Sequence, residues 1–187
     1  TRRNYRRRFN KHDHRLDAWT ILNLPIDEVL RIPEKILQMD TEKLTETIVA
    51  KAINEYSVQN LGYLQKIKEF LPNIKKCPVS FFSSTRHYSW PKGAAILGIG
   101  AKNMISVFVD EKARMEIKEL KIHLDKCLRE KIPVINVVAI IGSTEESAVD
   151  PLKEIFELRE SYRKLGLEFA IHADAAWGGY FRSMLID

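Results

Sequence analysis

The stretch PVINVVAIIGSTEESAVDP, residues 133–151, decides the architecture. Pro133 to Ile141 is almost continuously apolar and rich in β-branched side chains, as suits a strand covered on both faces. A polar loop follows Gly142, and Asp150–Pro151 then supplies a cap and a first-turn proline for a helix. Gly166 lies just past the expected end of that helix, and Glu168 to Ile171 reads as a further strand. Strand, helix and strand in succession form the unit of a parallel sheet.

The same alternation extends upstream. Residues 112–130 place Ile117, Leu120, Leu124 and Leu128 on one helical face. Met104 to Val109 predicts a second strand, a short helix is expected around Ala94, and Val79 to Phe82 predicts a first, buried strand. Before residue 77 the spacing changes. A helix is expected from Ser57 to Leu71, ending before Pro72, and Asp40 or Thr41 is placed to cap another helix bearing Leu44, Ile48 and Ala52. Pro25 and Pro33 break residues 16–39 into short elements. The fold class is α/β, with a largely parallel sheet and helices on both faces.

The 187 residues carry a net charge of +5, yet residues 1–15 alone hold +6, with Arg2, Arg3, Arg6, Arg7, Arg8, Lys11 and Arg15 against Asp13. The other 172 residues therefore net −1, and the basic character belongs to a short arm. Such an arm can grip nucleic-acid phosphates or a membrane surface, or serve as a transit peptide; its plain reading is a solvated terminus. An opening on Thr1 reads as a processed or excised piece. The longest uncharged apolar run, Val137 to Ile141, is five residues, far short of a membrane span, and no secretory pattern opens the chain. Cys77 and Cys127 form no metal-ligand spacing and no disulfide framework. The expected setting is reduced and cytoplasmic.

Three polar clusters follow expected strands: Ser83 to His87, Gly142 to Glu146, and His172 to Asp174. Ligands of open α/β sheets bind at the carboxyl ends of strands, so one shared site is expected. In HADAAWGG, residues 172–179, Asp174 can keep a heteroaromatic nitrogen protonated, Ala176 lets a flat ring approach, and Gly178–Gly179 lets the chain turn away. A plain turn-capping role for Asp174 is the alternative, and a metal site using His87, His172 and Asp174 is another. In HYSWPKGAAILGIG, residues 87–100, His87 is placed to stack on a planar group or move a proton, or is simply structural. In GSTEESAVDP, residues 142–151, Ser143 and Thr144 offer hydroxyls. Gly98 and Gly100 make no nucleotide fingerprint.

Taken together, HYSWPKGAAILGIG, GSTEESAVDP and HADAAWGG resemble, in order and spacing, the group II pyridoxal-phosphate-dependent amino-acid decarboxylases. The likeness spans about residues 19–187, strongest from 77 onward, and is most tyrosine-decarboxylase-like, although Ser147 stands where glycine is usual. It implies the large domain of the aspartate-aminotransferase type, over residues 16–187 behind the basic arm 1–15. It also implies pyridoxal 5'-phosphate as cofactor, an L-amino acid as substrate (possible side chains including tyrosine's), and a homodimer of the full-length enzyme. By the resemblance Asp174 pairs with the pyridinium nitrogen, His87 stacks on one ring face in the catalytic position, and Ala176 packs on the other. Thr144 lies near the ring, and His172 supports from behind.

The resemblance also sets expectations about what lies outside the chain. No glycine precedes Gly62, and only thirteen residues follow Asp174, none of them lysine. The phosphate-holding glycine turn, the cofactor-anchoring lysine and the C-terminal domain are expected elsewhere, so these 187 residues alone are expected to be inactive. The alternatives are a non-catalytic remnant or interaction protein keeping the fold core, a metal-dependent hydrolase, and a nucleic-acid binder acting through residues 1–15.

Overall fold

Strands β1 (Val79–Ser83), β2 (Met104–Val107), β3 (Val134–Ile140) and β4 (Ala170–Asp174) form one sheet in the order β2-β1-β3-β4, with every neighbouring pair parallel. The computed structural model describes residues 18–39, 45–57, 74 and 76–185. The basic arm, Asp40, Thr41, Leu44 and the helix expected beyond Ser57 lie outside the described residues.

β3 occupies the middle of the sheet because its side chains are apolar on both faces. Val137 and Val138 point to opposite sides and are both 0% exposed. Val137 and Ala139 join the larger core, while Val138 and Ile140 join a smaller one with Phe82, Trp90 and Met104. Among the described residues the helices, in chain order, are α1 (Ala18–Leu22), α2 (Ile26–Leu30), α3 (Ile32–Gln38), α4 (Glu46–Glu55), α5 (Ser89–Ile96), α6 (Ile117–Glu130), α7 (Leu152–Lys164) and α8 (Gly179–Arg182). Helix α6 buries Leu120, Leu124 and Cys127, and α7 buries Ile155 and Tyr162, all in the larger core. Burying each large apolar side chain contributes about 1.5–3 kcal/mol. Trp90 of α5 packs on the opposite face, so helices cover both sides.

Two polar clusters brace the helical layer, one joining α7 to the segment that leads into β4 and the other joining α7 to α6. Glu168 is buried and meets Arg159 Nη2 at 2.7 Å and Arg163 Nε at 3.4 Å, both from α7. Its backbone N–H donates to Asn23 Oδ1 at 2.7 Å, which fastens the N-terminal segment. The Tyr162 hydroxyl lies 2.5 Å from Asp125 Oδ1, and burial together with that carboxylate pushes the phenol up. Burial also pushes the Cys127 thiol up to about 11, while Cys77 is exposed. The neutral Cys127 therefore favours the fold below its ordinary value of 9, and that contribution is lost as pH rises from 9 through about 11. At pH 8 an alkylating reagent should label Cys77 at least about 100-fold faster than Cys127, because only about one thiol in a thousand ionises three units below its pKa. Peptide mapping by mass spectrometry reads this ratio directly.

Several boundaries differ from the sequence expectations. Helix α6 begins at Ile117, not near residue 112. The Asp110 carboxylate accepts the Lys112 and Arg114 amides, Ala113 adopts φ 57°, and Met115 bridges to Val109 as an isolated antiparallel pair. A tight loop thus takes residues 112–115, which the sequence expectation had placed in the helix. Helix α4 is capped by Thr45, whose hydroxyl accepts the Ile48 N–H at 3.3 Å. Asp150 does not cap α7 with its side chain. Its buried carboxylate accepts Met115 N–H and Ile140 N–H, each at 2.7 Å, and thereby joins the 110–115 loop to the end of β3. Burial pushes the Asp150 carboxyl up, against the pull of those amides and of the Ser83 hydroxyl.

Strand order places the site. The chain moves from β1 to β2 on one side, then crosses back so that β3 and β4 extend the sheet on the other. The direction of winding reverses between β1 and β3. At such a reversal the loops leaving neighbouring strands diverge and open a crevice at their carboxyl ends.

Candidate active site

The crevice is lined by Thr85 and His87 after β1, by Gly142, Ser143 and Thr144 after β3, and by Asp174 and Ala176 at the end of β4. Ser89, Ile140 and Trp177 complete it. All three polar clusters expected from the sequence therefore meet in one place, and His87, Thr144, Asp174 and Ala176 face a common space. His172 does not line it; its ring stands edge-on to Trp90, with centroids 5.0 Å apart and planes at 80°. Among the described residues no group of three His, Cys, Asp or Glu side chains is placed to hold a metal ion, so the His87–His172–Asp174 metal reading finds no geometry.

Asp174 is held from two sides. Trp90 Nε1–H donates to Oδ2 at 2.7 Å, and the Ala176 backbone N–H approaches Oδ1 at 3.3 Å. The second contact is the turn-capping role considered for this residue, and it coexists with exposure to the crevice. His87 Nδ1 accepts the Ser89 backbone N–H at 3.3 Å and lies 2.9 Å from the Ser89 hydroxyl. That contact leaves Nε2 to carry the proton of the neutral imidazole. Ser143 is committed to its own loop, donating to Glu146 Oε2 at 2.8 Å and accepting Ala148 N–H at 3.0 Å. Among the described residues the Thr144 hydroxyl makes no such bond, and of the two it is the one that the family resemblance picks out.

The loop after β4 is stitched to the end of β3. Ile141 N–H donates to the Asp174 carbonyl at 2.8 Å, and Gly178 N–H donates to the Ile141 carbonyl at 2.9 Å. Gly178 is required by this approach: a Cβ there would lie 2.2 Å from the Ile141 carbonyl oxygen. The sequence reading saw only freedom to turn. Ser147 adopts φ 55°, in the left-handed region, which explains the preference for glycine at this position. Ser147→Gly should stabilise the protein by about 1 kcal/mol, the approximate steric penalty of a side chain in that conformation. A rise in thermal midpoint checks this; an unchanged or lower midpoint contradicts it.

Trp90, Thr85, Ser89 and Trp177 were not singled out from the sequence. Trp90 carried a usable signal, an indole in an otherwise small-residue helix three positions after His87.

The switch-point crevice of this doubly wound α/β sheet presents a carboxylate, an imidazole, a hydroxyl and a methyl group, a set chemically able to receive a flat, polar, nitrogen-bearing ring. The model of the pyridoxal-dependent decarboxylase conserved domain matches residues 51–185, and the chain belongs to that family. It is 34% identical over 172 residues to an L-tyrosine decarboxylase of Enterococcus faecium, covering 92% of this chain and 25% of the relative. The L-tyrosine decarboxylase of Enterococcus faecalis is 36% identical over 169 residues, covering 90% and 24%. Among solved structures, mouse CSAD superposes with a TM-score of 0.52 at 28% identity, covering 87% of this chain and 33% of that one. The chain thus spans about a quarter of the length of these curated relatives.

Proposed function

We propose that the native-length protein carrying this chain is a pyridoxal-phosphate-dependent L-amino-acid decarboxylase that releases an amine and carbon dioxide. Tyrosine or another aromatic amino acid is the proposed substrate, supported by the L-tyrosine decarboxylases to which the chain is similar over 90% or more of its length. Residues 16–187 would form the part of the cofactor-binding domain that grips the ring, in a homodimeric, cytoplasmic enzyme. Among the described residues no helix is long and apolar enough to cross a membrane.

The observation that carries the proposal is the convergence of His87, Thr144, Asp174 and Ala176 on one crevice. Their chemistry fits a pyridoxal ring. Asp174 would hold a protonated ring nitrogen through a charge-assisted hydrogen bond, having lone pairs left beyond those used by Trp90 and Ala176. His87 would lie against one flat face, steadied by Ser89, and the Ala176 methyl against the other. Thr144 would offer its hydroxyl to a polar ring substituent. Bound pyridoxal phosphate supplies an electron sink for the pair left when a carboxylate departs as carbon dioxide. The contribution of Asp174 is to keep the ring nitrogen cationic, and that of His87 and Ala176 is to fix the ring plane.

Incubating the native-length protein and pyridoxal phosphate with tyrosine, phenylalanine, tryptophan and glutamate tests the proposal. Cofactor-dependent release of carbon dioxide and amine from an aromatic substrate is expected. Release from glutamate alone would overturn the aromatic assignment, and no release from any of them would favour the non-catalytic alternative.

A further inference from the structure

Resting on that cofactor assignment, we infer that Trp90 is a positioning residue that aims Asp174 at the ring nitrogen. Three contacts converge on its indole. The N–H donates to Asp174 Oδ2 at 2.7 Å across 84 positions of sequence. The ring stands edge-on to His172, two residues before Asp174 on the same face of β4, with centroids 5.0 Å apart. The remainder packs against Phe82, Val138 and Ile140 on the second face of the sheet.

A carboxylate at a strand end rotates freely about its last bond unless both oxygens are held. In this crevice one oxygen has the Ala176 amide at only 3.3 Å, which is a long bond. The short indole bond to the other oxygen therefore sets the carboxylate plane. The packed core and the His172 edge contact hold the indole in turn, so the direction of Asp174 is fixed by atoms that belong to the sheet. The same side chain pins the start of α5, only three residues after His87. One residue thus couples the group gripping the ring edge to the group lying on the ring face. This also gives His172 its place: it buttresses the indole, outside the crevice.

The test is a double-mutant cycle in the native-length protein, read as the dissociation constant of pyridoxal phosphate by absorbance titration. Trp90→Phe keeps most of the packing and the edge contact while deleting the donor. A charge-assisted hydrogen bond of this kind sets an expected loss of about tenfold or more in cofactor affinity. Asp174→Ala should weaken binding further, and adding Trp90→Phe to it should cost less than twofold, because the indole acts through the carboxylate. If Trp90→Phe weakens binding equally with and without Asp174, its role is general packing and the inference fails. An unchanged affinity in Trp90→Phe also overturns it, with the cofactor assignment standing provided Asp174→Ala is weakened. If Asp174→Ala itself binds as the native protein does, the cofactor assignment fails. Because the cycle compares Trp90→Phe in two backgrounds, a uniform loss of stability cancels from the coupling.

Discussion

Asp174→Ala in the native-length protein should lower cofactor affinity or turnover by a factor of about 30 to several thousand, the equivalent of roughly 2–5 kcal/mol for removing one partner of a desolvated charge pair. The carboxylate is half-buried, and Trp90 and Ala176 already hold it in place before any ligand arrives. Its removal leaves a protonated ring nitrogen without a counter-charge, so the nitrogen gives up its proton and the ring withdraws electrons less strongly. Asp174→Asn keeps the shape and one acceptor but not the charge, and should recover affinity more than turnover. Absorbance titration and initial rates separate the two effects. Equal damage in both readouts for Asn and Ala would show that the side chain matters for packing alone.

Gly178→Ala should be the most damaging single-methyl change in the crevice. The added carbon would meet the Ile141 carbonyl oxygen at 2.2 Å and the carbonyl carbon at 2.8 Å, and both belong to backbone that cannot rotate away. The bond from Gly178 N–H to that carbonyl, and the neighbouring bond from Ile141 N–H to Asp174, would open together. The cost should be about 3 kcal/mol or more, at or above the upper range for overpacking. A drop in thermal midpoint measures it, and cofactor binding should fall with it because Ala176 and Trp177 ride on the displaced loop. Gly179→Ala offers the contrast, since its Cβ would meet only the Ala175 methyl, at 3.2 Å. Similar melting of the two variants would contradict the close-approach explanation.

What the sequence made legible follows from how local each feature is. The burial of β3 could be read because Val134 to Ile140 is apolar on both faces, and that pattern has few other solutions. That the clusters holding His87, Thr144 and Asp174 share one crevice could be read because each follows or ends a strand, and a parallel sheet sends all its strand ends to one side. The start of α6 was placed too early because the loop at 112–115 is set by the Asp110 carboxylate and by the Val109–Met115 bridge, neither of which leaves a mark on helical periodicity. Asp150 looked like a cap because Asp before Pro usually is one. Its real partners, Met115 and Ile140, come from a loop and a neighbouring strand end. Trp90, and the close approach that requires glycine at 178, escaped for the same reason. The Asp174 bond and the Ile141 contact exist only after the sheet has assembled.

The most direct test is the protonation state of the bound ring. Pyridoxal phosphate carrying 15N at its ring nitrogen, bound to the native-length protein and followed by NMR, should show a protonated nitrogen at neutral pH. The same nitrogen should be unprotonated when bound to Asp174→Ala. A protonated nitrogen in both proteins, or in neither, would contradict the pairing of Asp174 with the cofactor ring.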